Sequence, residues 1–221
     1  MESRLKNFDI KNLINRIFSA IFFIPLIILP IIFKGYVLYL VYIFILSLML
    51  NELIDMIKIS KNKLFIYLYL LVCVLSVFSF ILSISSIENV SFEIVEIIMI
   101  IWIFDTFCYL GGKAFNGKKL MPKISKGKTF NGLYSGIIAT LIIAIFYYVE
   151  IHNSLYIALL YVIPIIILSF LGDLIVSVLK RSINIKDSGY IMPGHGGIID
   201  RMDSFVLVFF VYGIYLTIFV R

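Results

Sequence analysis

Residues 155–181 read LYIALLYVIPIIILSFLGDLIVSVLKR, and this stretch decides the fold. From Leu155 to Gly172 it holds no Asp, Glu, Lys, Arg or His. A helix that crosses a bilayer needs about 17–25 predominantly apolar residues, so the run predicts a span over roughly 155–179. Polar groups then arrive in a pattern. Asp173, Ser177 and Lys180 follow one another at i, i+4 and i+7, which puts them on one helix face. Asp173 lies about two turns inside the span, and an ionisable group at that depth is a functional candidate. The alternative is an ion pair with Lys180 or Arg181 that only satisfies the helix end.

Working outward, the chain repeats the apolar theme. Of its 221 residues 62% are hydrophobic and 14% are charged, with a mean hydropathy of +1.09. A soluble domain carries about 25% charged residues, so lipid is the main solvent here. Further spans are read at 17–33, 35–50, 64–85, 92–110, 132–149 and 204–220. The first follows a basic N-terminus as a signal peptide would, but it is long for an h-region and no small-residue cleavage site follows, so it reads as retained. Residues 1–16, 51–63, 111–131 and 180–203 contain 17 of the 19 Lys and Arg residues. These segments lie on one side of a seven-span arrangement, as the positive-inside rule requires. The expectation is an all-α, polytopic integral membrane protein with a cytoplasmic N-terminus. It forms one membrane domain over 1–221, with its catalytic part in 100–221 and its cytoplasmic loops at 111–131 and 180–203.

The net charge of +6 then speaks of topology and of anionic lipid or phosphate ligands rather than of nucleic acid. Cys73 and Cys108 sit in apolar runs and form no CxxC pair, which argues against a disulfide or zinc site. GxxxxGK[ST] and GxSxG are absent.

After the sixth span come Lys186-Asp187, Pro193-Gly-His195-Gly-Gly197 and Ile-Ile-Asp200-Arg201-Met-Asp203, pinned against the seventh. Asp200 and Asp203 are i, i+3 and share a face if helical. Carboxylates projecting from adjacent helix ends can hold a hard cation. Mg²⁺ takes one or two protein carboxylates and completes its shell with water and phosphate oxygens. Lys180, Arg181, Lys186 and Arg201 surround these acids. Carboxylates beside Lys and Arg suit a phosphoryl or nucleotidyl group. His195, between glycines, could partner a phosphate, carry a proton, or bond a loop carbonyl. A second constellation follows Asp105. Residues 115–132 read FNGKKLMPKISKGKTFNG, a Lys-rich loop able to cradle polyphosphate, although topology alone also asks for a basic loop here. Glu52 and Asp55, i and i+3 after the second span, read as a solvated helix end.

The run Ser177 to Asp203 closely resembles the signature of the phosphatidate cytidylyltransferases, also called CDP-diacylglycerol synthases. The upstream loop is similar to the same family's second motif through Asp105, Tyr109, Gly112-Lys113, Gly117-Lys118, Pro122, Ile124-Ser125 and Lys128-Thr129. The resemblance covers roughly residues 100–221, and the N-terminal half matches only as hydrophobic spans. Two departures stand out. The family's Ser-Pro-Lys-Lys-Thr is here Ser125-Lys-Gly-Lys-Thr129, and the acid that follows it is here Asn131.

The resemblance implies transfer of a cytidylyl group from CTP to phosphatidate, giving CDP-diacylglycerol and pyrophosphate. That reaction belongs to phospholipid biosynthesis at a bacterial inner membrane, with the site facing the cytoplasm. The resemblance also implies a metal centre of Mg²⁺, with K⁺ beside it, at Asp173 and Asp200. The expected roles follow. Asp203 and Asp187 support or add to the metal ligands. Lys180, Arg181, Lys186, Arg201 and His195 act on phosphates. Lys118, Ser125, Lys128, Thr129 and Ser177 hold substrate. The expected partners are CTP, phosphatidate and membrane lipids, with a homodimer left open. A cation transporter using Asp105 and Asp173 as a relay is the competing reading. Transporters, however, place their sites near the midplane of repeated halves, and here the acids cluster at helix ends with no repeat. A different lipid-phosphate transferase with the same Mg²⁺ logic is the second competitor.

Overall fold

The computed structural model describes residues 36–86, 90–152, 154–191 and 196–219. The span read at 17–33 and His195 lie outside the described residues. The rest forms six helices and one hairpin: α1 (Tyr36–Ile59), α2 (Leu64–Ser86), α3 (Val90–Phe115), β1 (Lys119–Met121), β2 (Ser125–Thr129), α4 (Phe130–His152), α5 (Leu155–Ser182) and α6 (Ile199–Phe219). Among the described residues, four stretches are long and apolar enough to cross a membrane: Tyr36–Ile59, Leu64–Leu82, Glu93–Phe115 and Leu155–Ser182. Phe130–Ala144 is a shorter apolar stretch of the same kind. The chain is an integral membrane protein.

The span read as ending near residue 50 runs on to Ile59 in α1. Sequence hydropathy falls at Asn51, but helical packing does not. Leu38, Tyr42, Ile45, Met49, Leu53 and Met56 recur three or four residues apart and are all buried, so one continuous face drives the helix past its apolar limit. The opposite face, with Leu40, Ile43 and Phe44, is exposed where lipid would meet it.

Helix α6 packs between α2 and α5, while α4 packs between α3 and α5. Lipid tails are as apolar as the side chains, so helix association in a bilayer rests on close packing and interhelical hydrogen bonds. Both occur on α6. The Tyr212 hydroxyl donates to the carbonyl of Tyr161 on α5 at 2.5 Å. At Gly172, any Cβ would collide with the backbone carbonyl of Asp203, so α5 and α6 touch main chain to main chain at this level. That contact brings the neighbouring Asp173 and Asp203 into one neighbourhood.

The all-α expectation holds for the apolar segments, and the 111–131 loop departs from it. Lys119–Met121 and Ser125–Thr129 pair antiparallel, Lys119 opposite Thr129 and Met121 opposite Ser125, with an irregular register between. The chain turns at Pro122, where the Ile124 N–H donates to the Met121 carbonyl at 3.0 Å. A Lys-rich stretch with no apolar periodicity gains nothing from burying a helix face, and the proline favours a turn. Helix α3 ends just before, at Asn116, whose φ of 50° is the left-handed conformation that commonly closes a helix.

Candidate active site

Where α3, the hairpin, α4, α5 and α6 meet, they enclose a cavity of about 550 Å³, within the ordinary range for a small-molecule site, about 300–1,000 Å³. Asp105, Lys113 and Asn116 reach it from the end of α3, and Lys119, Ser125, Gly127, Lys128 and Thr129 from the hairpin. Asp173 comes from α5, and Asp200, Asp203 and Ser204 come from the start of α6. Four carboxylates and three ammonium groups thus line one space.

Their contacts are ordered. Lys128 Nζ lies 2.5 Å from Asp173 Oδ2 and 5.7 Å from the centre of the Phe170 ring. Ser177 Oγ donates to Asp173 Oδ1 at 3.4 Å, one helical turn on, as the i, i+4 spacing requires. Lys180 Nζ lies 2.5 Å from Asp200 Oδ1, with both side chains largely buried. Asp200 Oδ2 accepts the backbone N–H groups of Ser188 at 2.8 Å and Gly197 at 3.0 Å. Asp200 precedes the apolar run of α6. Burial pushes its pKa up, but the Lys180 ammonium and the two N–H donors outweigh that and hold it below the ordinary carboxylate value. Ser204 ties the remaining acids together: its hydroxyl donates to Asp105 Oδ2 at 3.1 Å and its N–H to Asp203 Oδ1 at 2.9 Å.

Among the described residues, no three carboxylate, thiol or imidazole groups converge as a metal cage would. Most of the donor groups on the cavity wall are carboxylate and hydroxyl oxygens, with the Cys108 thiol and the Asn116 amide beside them. That set suits a hard cation sharing one or two protein carboxylates with phosphate oxygens rather than a cation held by protein alone.

Residues 60–219 match the profile described as the cytidylyltransferase family. The chain belongs to that family. It is 37% identical over 220 residues to a phosphatidate cytidylyltransferase of Rickettsia typhi, covering 94% of this chain and 95% of that one. A protein of the same name from Rickettsia conorii is 33% identical over 228 residues, covering 97% of each. One from Staphylococcus epidermidis is 40% identical over 112 residues, covering 50% of this chain and 43% of that one.

Of the residues read from the sequence, the fold brings Ser125, Lys128, Thr129, Asp173, Asp200 and Asp203 to the cavity wall. Lys180 and Ser177 stand behind it, holding Asp200 and Asp173. Arg181 turns elsewhere: its guanidinium donates to the carbonyls of Ile124, at the hairpin turn, and Ile185. It ties the hairpin to the end of α5. Lys118, Lys186 and Asp187 are exposed and do not line the cavity, and Arg201 does not line it either. Thr129 also caps α4, its Oγ1 accepting the Gly132 N–H at 3.1 Å.

Of the charged groups on the cavity wall, Lys119 has no role in the sequence reading, Lys113 enters it only within the matched motif, and Asp105 only there and as the competing relay. Once the loop is read as a hairpin, alternation decides between Lys118 and Lys119. Lys119 lies opposite Thr129, so the two share a face, and Lys118 points to the other. Pro122 was the available signal for that hairpin. Glu52 was read as a solvated helix end and is instead 4% exposed. Its neighbour Asp55 does fit that reading, paired with Lys58 at 2.8 Å on the surface.

Proposed function

We propose that this protein transfers a cytidylyl group from CTP to phosphatidate, yielding CDP-diacylglycerol and pyrophosphate for phospholipid synthesis. The observation that carries the reading is the cavity in which Asp105, Asp173, Asp200 and Asp203 face Lys113, Lys119 and Lys128 at the ends of apolar helices. Relatives named for this activity match nearly the whole chain.

In the proposed reaction a phosphate oxygen of phosphatidate attacks the α-phosphorus of CTP. The bond from that phosphorus to the β-phosphate oxygen breaks, and pyrophosphate departs with the electron pair. Since the second pKa of a phosphate monoester is about 6, the nucleophile is already anionic at neutral pH and needs no strong base. The difficulty is to bring two anions together and to stabilise the leaving charge, which is work for positioned cations. Lys113, Lys119 and Lys128 would face the triphosphate, with Ser125 and Thr129 offering hydroxyls. Asp173, with Asp200 and Asp203 beside it, would hold Mg²⁺, with K⁺ as its companion. The metal would neutralise phosphate oxygens during the transfer. The Lys128 and Lys180 ammonium groups pair with Asp173 and Asp200. The diacylglycerol tail would stay in the bilayer while the head group reached the cavity from between helices.

The same reading places seven spans across a bacterial inner membrane, with the N-terminus and the site in the cytoplasm. The alternating Lys and Arg content of the loops supports that orientation.

The test is to supply detergent-solubilised protein with CTP radiolabelled in the cytidine ring, phosphatidate and Mg²⁺. Label appearing in chloroform-extractable lipid, and lost on chelation of Mg²⁺, is the expected result. Label that stays in the aqueous phase would exclude this activity.

A further inference from the structure

Glu52 sits far in sequence from everything the proposed reaction uses, yet its carboxylate is buried against the segment joining α5 to α6. Oε1 accepts the Ile198 N–H at 2.8 Å. Oε2 accepts the Ile199 N–H at 3.0 Å and the Ser188 hydroxyl at 2.8 Å. Ile198 immediately precedes α6 and Ile199 is its first residue, and the first N–H groups of a helix have no partner within the helix. A capping side chain normally comes from the same turn. Here it comes from another helix, and it brings a negative charge to the positive end of the α6 dipole.

The backbone is shaped to admit it. A Cβ on Gly197 would overlap both Glu52 carboxylate oxygens and the Ser188 hydroxyl, and one on Gly189 would lie 2.7 Å from Glu52 Oε1. Ser188 is gripped twice, its hydroxyl by Glu52 and its N–H by Asp200. A chain of contacts therefore runs from Glu52 on α1 through Ser188 to Asp200 and on to Lys180 on α5.

We propose that Glu52 is a positioning residue for cytidylyl transfer: from α1 it fixes the start of α6, and with it the placement of Asp200 and Asp203 in the cavity. Ile199 is one residue before Asp200 and one helical turn before Asp203, so sliding the helix start moves both carboxylates together. A misplacement of about 1 Å can cost about 10²-fold in rate. Glu52 touches neither substrate nor reacting atoms in this assignment. The inference rests on the proposed cytidylyl transfer for its kinetic arm only.

The experiment uses the full chain, purified in detergent, as wild type, Glu52→Gln, Ser188→Ala and the double variant. Gln preserves shape but turns one acceptor into a donor facing donors. Expected for Glu52→Gln is a fall in kcat of about 10- to 100-fold, the range for losing a group that orients functional ligands, with KM for CTP within about threefold. Ser188→Ala is expected to fall about threefold, and the double variant to match Glu52→Gln within about twofold, because both act through one network. Hydrogen exchange read by mass spectrometry supplies an activity-free arm. Amides in 196–203 of Glu52→Gln should exchange at least about tenfold faster, with those of α2 and α3 unchanged.

A Glu52→Gln kcat within about twofold of wild type, or a loss accompanied by faster exchange throughout the chain, overturns the proposal. If Glu52→Gln does not fold, Ser188→Ala decides: wild-type kcat and wild-type exchange in 196–203 overturn it. A wild-type chain that transfers no label would instead sink the functional reading, and the exchange arm would still report whether Glu52 holds the start of α6.

Discussion

Lys128, carried by the β-hairpin, places its ammonium 2.5 Å from the Asp173 carboxylate on α5, with the two side chains 21% and 30% exposed. This pair closes the Lys-rich loop over the acidic wall of the cavity. It also joins the upstream motif loop to the helix that leads into the Ser177–Asp203 run. Replacing Lys128 by Ala should therefore loosen the hairpin and remove a cation aimed at phosphate. The expected loss in kcat/KM for CTP is about 10²–10³-fold, the cost of deleting one electrostatic stabiliser. Lys128→Arg should recover only part of it, because a planar fork replaces a point charge. Steady-state kinetics with CTP varied, alongside limited proteolysis of the loop, provide the check. Wild-type kcat/KM in Lys128→Ala would remove this residue from the site.

Asp173→Asn tests the proposed metal. The substitution keeps size and the Ser177 hydrogen bond but removes the charge that Lys128 now balances. If Asp173 holds Mg²⁺ during turnover, the concentration of Mg²⁺ giving half-maximal activity should rise at least about tenfold, the lower end of what ligand-sphere changes produce. Maximal activity should fall as well. An Mg²⁺ activation curve that overlays the wild-type curve would place the metal elsewhere.

The sequence was most legible where one physical rule acted alone. The run from Leu155 to Gly172 has no alternative to an apolar helix, and Asp173, Ser177 and Lys180 share a face by spacing. Legibility failed where contacts came from afar. Hydropathy ends the second span near residue 50, but a buried stripe continues it to Ile59 and carries Glu52 into the interior. The groups that make Glu52 useful, Ile198 and Ile199, are 146 and 147 residues away, and no local pattern records them. The motif match picks Lys118 of two adjacent basic residues. Strand pairing instead puts Lys119 on the cavity face.

Asn131 stands where the family pattern has an acid, and the fold gives a reason. Its side-chain nitrogen donates to the carbonyl of Phe115, the last residue of α3, at 3.3 Å. A carboxylate there cannot donate, and its charge would face the negative end of the α3 dipole while lying in the first turn of α4, whose dipole favours it, so the two helix ends offset. Asn131→Glu should destabilise the protein by about 0.5–1.5 kcal/mol, the value of the lost hydrogen bond. Asn131→Asp, shorter and equally charged, should do the same. Thermal unfolding followed by tryptophan fluorescence from Trp102, midway along α3, would detect it. A raised melting temperature in Asn131→Glu would show that the acid finds a better partner among the loop lysines.

Asp200 predicts a pH dependence of defined sign. Its pKa is depressed in the folded protein, with Lys180 and the N–H groups of Ser188 and Gly197 favouring the charged form. A depressed carboxyl stabilises the fold above its unfolded pKa, about 3.9, and loses that contribution as pH falls through the lower folded value. Asp200→Asn leaves the largely buried Lys180 ammonium without its carboxylate, which should cost about 3–5 kcal/mol at pH 7. Melting temperatures of wild type and Asp200→Asn, measured in detergent from pH 7 down to about pH 3, should stay a constant distance apart until about pH 4 and then converge. The wild type should do most of the moving, since the variant has no carboxyl at 200 to protonate. A gap that stays constant through the acid range, or that narrows instead as pH rises above 7, would mean that the charge on Asp200 is not what Lys180 and the two N–H groups stabilise.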